Sequence, residues 1–199
     1  MPTLDLRHVV LESVARARAL DPLNAWVMAI EAFCLALTDR AAEAPAAAER
    51  AVALDDQNFT ARWTLLWTLA ACERHDEALA AAEPALSMSN RHPRVLVEVA
   101  AIHAVRGDLD GAEAVYRELR SRARTSYMGF AEQAVAAAAA GHQDEARALI
   151  KQAVAAHETF LAFWKLPSWR PLWKDEEAAR ILRATDLMRL SATGPTFHN

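Results

Sequence analysis

Seven histidines, two cysteines and 26 acidic side chains are the residues of this 199-residue chain with the chemistry to hold a metal, move a proton or attack a carbonyl. Their spacing assembles no reaction centre. His8, His75, His92, His103, His142, His157 and His198 include no pair four residues apart, the separation that sets two imidazoles on one helical face for zinc. Cys34 and Cys72 make no C-x-x-C pair. No G-x-S-x-G, P-loop or G-x-G-x-x-G motif occurs, and five scattered glycines cannot cradle a phosphate. His75-Asp76-Glu77 has the composition of an acid/base cluster, but its place in the period described below makes it a turn followed by helix-opening carboxylates. No catalytic residue, metal or cofactor is expected, and the chain reads as a non-enzyme.

Charge narrows the partners. The formal net charge is −4, which supplies no general attraction to nucleic acid or to an anionic membrane. Arg117, Arg120 and Arg124 share a helical face with Arg122 nearby, but Glu113 and Glu118 interleave with them, as on a solvated outer face. The apolar run Trp63 to Cys72 is well short of the roughly 20 residues of a membrane helix. Asp5, Arg7, His8 and Glu12 interrupt any signal-peptide core at the N-terminus. With two cysteines and no disulfide framework, the expectation is a soluble cytoplasmic protein.

The elements that must carry any binding site follow from alanine, which supplies 46 of the residues. Such a composition favours helix, because alanine loses no side-chain entropy there, and argues against sandwiches, barrels and Gly-rich nucleotide folds. The alanines are periodic. Asp76-Glu77-Ala78, Asp110-Gly111-Ala112 and Asp144-Glu145-Ala146 recur every 34 residues, and stepping back the same distance reaches Glu43-Ala44. Two more columns run in this register, Ala48, Ala82, Tyr116, Ile150 and Ala51, Ala85, Leu119, Ala153, and Gly107 and Gly141 share it. Each copy reads as two helices and a tight turn. In the third, Leu96, Val99, Ala100 and His103 form a stripe over 95–106, Gly107 ends the helix, and Asp108 and Asp110 open the next, which carries Ala112, Val115, Tyr116 and Leu119 on one face. Small residues at fixed points let helices approach closely within and between copies.

This pattern resembles the tetratricopeptide repeat (TPR), carried by Arg74-His75-Asp76-Glu77-Ala78-Leu79, Gly107-Asp108-Leu109-Asp110-Gly111-Ala112 and the endings Ala19-Leu20-Asp21-Pro22 and Ala53-Leu54-Asp55-Asp56. Departures are the loss of the closing proline at Asp56, Asn90 and Arg124, Leu66 in a position usually small, and Glu73 in place of the turn glycine. The resemblance implies an all-α, right-handed α-solenoid: one domain over 1–199, with a leading half-repeat helix within 1–24 and repeats at 25–58, 59–92, 93–126 and 127–160. Over 161–199, Trp164, Trp169 and Trp173 mark a Trp/Pro-rich connection. It leads to a capping helix with Ala178, Ile181, Leu182, Thr185 and Met188 on one face, then a frayed tail over Gly194–Asn199. The segment from Trp169 to Leu182 is also similar to the closing part of TPR arrays attached to some bacterial adenylate cyclases and transcription regulators.

In this family the first helices of successive repeats line a concave groove. The implied columns are Trp26, Thr60, Arg94, Met128; Ala29, Trp63, Val97, Ala131; and Phe33, Trp67, Ala101, Val135. They lack the Lys and Asn with which relatives clamp a peptide carboxylate. The expected site is therefore an apolar one for a peptide or partner helix, with Trp26, Phe33, Thr60, Trp63, Trp67, Arg94 and Val97 as its contacts. Spacing leaves open whether these tryptophans face the groove or are covered by the leading helix and neighbouring repeats. The expected role is a protein-interaction module with a protein or peptide partner, self-association into a homodimer being left open. The alternative is the regulatory or sensory part of a larger bacterial signalling protein.

Overall fold

The computed structural model describes residues 6–38, 40–164 and 166–184, and among them every regular element is helical. The chain divides into two compact units, one taking in the described residues up to Asn90 and the other those from Arg91 on. The division falls between two residues in left-handed conformation, Asn90 at φ 51° and Arg91 at φ 56°.

In the first unit, α1 (Leu6–Leu20) packs on α2 (Ala25–Ala36), which pairs with α3 (Ala44–Leu54); α4 (Phe59–Ala71) packs on both and pairs with α5 (His75–Met88). Arg18 of α1 ties to Glu31 of α2 at 2.9 Å. In the second unit, α6 (Pro93–Val105) pairs with α7 (Leu109–Arg122) and α8 (Phe130–Ala139) with α9 (Gln143–Ala155), and α8 also packs on α6 and α7. A short α10 (Arg170–Trp173) lies on α6 and α8, and α11 (Glu176–Arg183) lies on α9. Thr185, Met188 and the tail over 194–199 lie outside the described residues.

The periodic columns are core. Ala44, Ala78, Ala112 and Ala146 are all fully buried, as are Ala51, Ala85 and Ala153, with Leu119 nearly so. A larger side chain at the first column would force each helix off its partner, so the alanine requirement is steric. Helix starts keep the same register through a feature absent from the sequence reading. Asn24 and Asn58, 34 apart, each accept a hydrogen bond at 3.1 Å from the backbone N–H three residues on, and His92 accepts from Arg94 N at 3.2 Å in the next copy. Asp108 does the same for Gly111 at 2.9 Å before α7, and Asp175 for Ala178 at 2.8 Å before α11.

Two expectations change in detail. The stripe assigned to α6 is too narrow, because every residue from Val95 to Ile102 is buried; α7, α8 and the 3-10 turn Pro167–Trp169 with α10 surround this helix. Arg124 does not share a helical face with Arg117 and Arg120, since α7 ends at Arg122. The remaining arginines are paired: Arg117 with Glu113 at 2.6 Å, Arg122 with Glu118 at 3.7 Å and Arg120 with Glu145 at 3.6 Å. The tryptophans beyond α9 gather apolar surface. Trp169 is fully buried against Phe160, ring centroids 5.2 Å apart, and Trp173 Nε1 donates to the Trp164 carbonyl at 2.8 Å.

Glu98 is a core acid that the sequence reading passed over. It is 2% exposed on α6, and burial pushes its carboxyl up to about 8, with the nearby Ser168 side chain offsetting only part of the rise. The folded chain thus holds this proton at a pH where the unfolded chain has released it. Stability tied to Glu98 is complete below the ordinary carboxylate range and is lost as pH rises toward 8. Urea unfolding at about pH 5 and about pH 9 should therefore show the wild type losing a few kcal/mol at the higher pH, and Glu98→Gln losing much less.

Turn geometry yields a second test. Gly107 and Gly141 end α6 and α8 at φ +77° and +87°, and an added Cβ would meet nothing within 4 Å at either, so conformation alone demands glycine. Glu73 occupies the equivalent turn at φ 60° with a side chain. Gly107→Ala should destabilise by about 1–2 kcal/mol, and Glu73→Gly should shift the thermal midpoint upward instead.

Candidate functional site

The aromatic residues of the expected groove are positioned in the first unit by two capped helices. Asn24 and Asn58 fix the starts of α2 and α4, so that Trp26 and Thr60 both fall on the first turn. One turn or two further on come Phe33, Trp63 and Trp67. Because α2 lies beside α4, Phe33 meets both indoles: its ring centroid is 6.3 Å from Trp63 with planes 27° apart, and 4.9 Å from Trp67 with planes 33° apart. Offset arrangements at these distances suit the ring quadrupoles.

Exposure sorts these residues into contacts and support. Trp26 is 55% exposed. Phe33, Thr60 and Trp63 are half-buried, and Trp67 is buried at 1% exposure. Trp67 is thus a floor beneath Phe33 rather than a surface contact, which corrects the expectation that it faces a partner; a ring so enclosed already has its apolar area out of water. The indole N–H groups of Trp63 and Trp67 are buried without a hydrogen-bond partner. The segment leading into α2 adds Leu20 and Leu23, 89% and 76% exposed.

Arg94 and Val97, expected in the same columns, belong to the second unit and serve other ends. Val97 is fully buried and is core, a further correction. Arg94 lies 3.9 Å from Glu132 of α8 and sets its guanidinium over the Phe160 ring, 5.2 Å from the centroid. Burial raises the Glu132 carboxyl above its ordinary range; the Arg94 charge lowers it in part and Glu158 raises it further. Glu158 in turn accepts from the Phe130 and Ala131 amides at 2.7 and 2.8 Å, capping α8. Arg94 is therefore a counter-charge within its own unit. In the neighbouring columns Met128, Ala101, Ala131 and Val135 are buried as well.

The remaining groups with chemical potential are engaged in structure. His103 Nδ1 lies 2.7 Å from Asp108 across the α6–α7 turn, and His142 Nε2 lies 2.7 Å from Glu113. Glu77 of the His75-Asp76-Glu77 segment pairs with Arg74 at 2.7 Å in the first turn of α5. Tyr116 Oη donates to Glu145 at 2.5 Å and accepts from Arg120 at 2.9 Å. Cys34 and Cys72 are free thiols, both raised above the usual range chiefly by burial, the opposite of an activated nucleophile. Among the described residues no group of three His, Cys, Asp or Glu side chains converges as a metal site.

No family model matches the sequence, and no curated protein matches it significantly. Solved structures match in three dimensions. A tetratricopeptide repeat protein from Parabacteroides merdae superposes with a TM-score of 0.53 and 14% identity, over 92% of this chain and 71% of that one. A chain of the Naa15/Naa10 assembly bound to HypK-THB matches with a TM-score of 0.50 and 16% identity over 92% of this chain, which spans only 30% of that longer relative. The helix pairs, the buried small-residue columns and these two likenesses agree on one architecture: the chain is all-α and has the tetratricopeptide-repeat fold.

Proposed function

We propose that this chain is a non-enzymatic protein-interaction module whose first unit takes an apolar peptide or amphipathic helix on the aromatic face of α2 and α4. The observation that carries this reading is the gradation along that face, from an exposed Trp26 through half-buried Phe33 and Trp63 to a buried Trp67. Large aromatic rings partly open to water above a rigid floor are the form taken by interface anchors, because covering them gains area at little entropic cost. Leu20 and Leu23, in the segment just before α2, are exposed apolar side chains as well. Thr60 supplies a polar edge.

Support from elsewhere is of a coarser kind. Repeat folds of this type are generally scaffolds for protein partners, and one of the similar structures is itself a chain within an assembly of proteins. Among the described residues no helix is long and apolar enough to cross a membrane. The alternative role, as the regulatory part of a larger signalling protein, keeps the same aromatic face and changes only its setting; its support is the closing segment Trp169 to Leu182.

Selection of displayed peptides on the purified chain tests the reading. Enriched sequences should carry apolar residues at helical or extended spacing, and Trp26→Ala and Trp63→Ala should each weaken their capture about tenfold or more, the first with a melting curve close to wild type and the second at a cost of about 1–2 kcal/mol that leaves the chain folded. Trp67→Ala should behave differently, costing about 3–5 kcal/mol of stability through the cavity it opens. Peptides that bind Trp26→Ala and Trp63→Ala as tightly as wild type would exclude this face as the site.

A further inference from the structure

In the 34-residue register, Val10, Ser13 and Ala17 of α1 stand one period before Ala44, Ala47 and Ala51 of α3. In the four complete copies the first and last of these columns are closed. Ala44, Ala78, Ala112 and Ala146 have no accessible surface, nor do Ala51, Ala85 and Ala153, and Leu119 keeps 1%. On α1 the columns are open: Val10 is 44% exposed, Ser13 is exposed and Ala17 is half-buried. One exposed valine is ordinary on a protein surface. A valine exposed in a column sealed four times elsewhere marks a missing neighbour, and among the described residues no helix precedes α1 to supply it.

The complete copies show what seals these columns. In the first, Ala32 and Leu35 of α2 pack with Ala44, Ala47 and Ala48 of α3, and Met28 and Ala29 of α2 pack with Ala51. The cover is thus an antiparallel helix with contacts at i, i+1, i+4 and i+7. Methyl groups between two larger side chains let the backbones approach. The same pairing of first and second helix recurs as α4 with α5, α6 with α7 and α8 with α9. α1 uses its other side within the first unit: Leu11 packs against the cluster of Ala32, Leu35 and Ala44, and Val14 is buried. The stripe left over, Val10, Ser13 and Ala17, carries no charge, so covering it strips water from no ion.

We propose that this open face of α1 is a second docking site, which takes an amphipathic helix of another protein and so completes the half-repeat. The face continues, in the same register, the contact that joins the two helices of every complete copy, and its occupant is therefore helical and antiparallel to α1. The occupant presents the order of α2: a large apolar residue, small residues one and four positions on, and a second large one at the seventh. The residue equivalent to Ala32 must stay small, because Val10 already fills more of the joint than Ala44 does. α1 has 15 residues, about 22 Å of helix, and a single pair of this length is small for an interface. A dissociation constant of about 1–100 μM follows. The site lies on α1 and does not depend on the aromatic face of α2 and α4.

A lactam-bridged helical peptide carrying Met-Ala-x-x-Ala-x-x-Leu on a Glu, Lys and Gln background provides the probe, read by amide chemical shifts of the full chain. It should shift Val10, Ser13 and Ala17. Replacing its second alanine by leucine should weaken binding about tenfold or more, and scrambling the stripe should abolish it. Val10→Glu should weaken binding at least as much with a melting curve close to wild type, because the side chain it replaces is exposed. Ser13→Glu, at a fully exposed position, should do the same and decides the matter if Val10→Glu melts early. Trp26→Ala should leave the affinity unchanged, so failure here and failure at the aromatic face are separable. The proposal is overturned if the peptide shifts no residue of α1 at millimolar concentration, or if the scrambled peptide or the Val10→Glu and Ser13→Glu chains bind as well. Sedimentation equilibrium supplies a further check: a wild-type dimer that Val10→Glu dissociates would assign the face to a second copy and overturn it too.

Discussion

Close contact between paired helices is the constraint on which the rest of this structure depends. Ala44, Ala78, Ala112 and Ala146 have no accessible surface, and each sits near the start of a second helix where that helix touches the first. A side chain limited to a methyl group lets the two backbones approach, and the approach compensates for the small area that each alanine buries. With the joints filled this way, large side chains are concentrated elsewhere, and those that remain at the surface carry more information than usual.

The electrostatics follow the same economy. Several charged side chains of the second unit pair with a neighbour from an adjacent helix: Arg120 with Glu145, His142 with Glu113, Arg147 with Asp175, Lys151 with Glu177. Apart from Arg147 with Asp175, which is mostly buried, these pairs are at least partly exposed and individually weak, so they set register more than they stabilise. Glu98 is the exception, an acid buried on all sides whose raised pKa reports the desolvation that the surrounding helices impose. Arg94 occupies an intermediate case, half-buried between Glu132 and the face of Phe160, and its role is to neutralise rather than to recognise.

The fold was legible in the sequence because its physical determinants are local and periodic. Small residues 34 apart, glycines at turns and carboxylates at helix starts each act within a few residues, and all three appear in the same register. The asparagine caps at 24 and 58 were equally local and could have been read from their spacing ahead of Trp26 and Thr60. The site was less legible. Trp26, Phe33 and Trp63 were identifiable from the columns, but nothing in their type distinguished Trp63 from Trp67, four residues along the same helix, or Val97 from a groove residue.

What the sequence by itself determined was the helical repeat, its length and the positions that had to be small, since backbone conformation and steric fit at a joint depend on residue type. What only the tertiary structure decided was burial: which indole is a floor and which is open, why Glu98 stays protonated, why Arg94 is already matched, and that Gln143, Arg170 and Lys174 line one cavity. Those properties depend on which helices surround a side chain, and residues up to 70 positions apart, such as Ala104 and Lys174, meet only after the helices have packed.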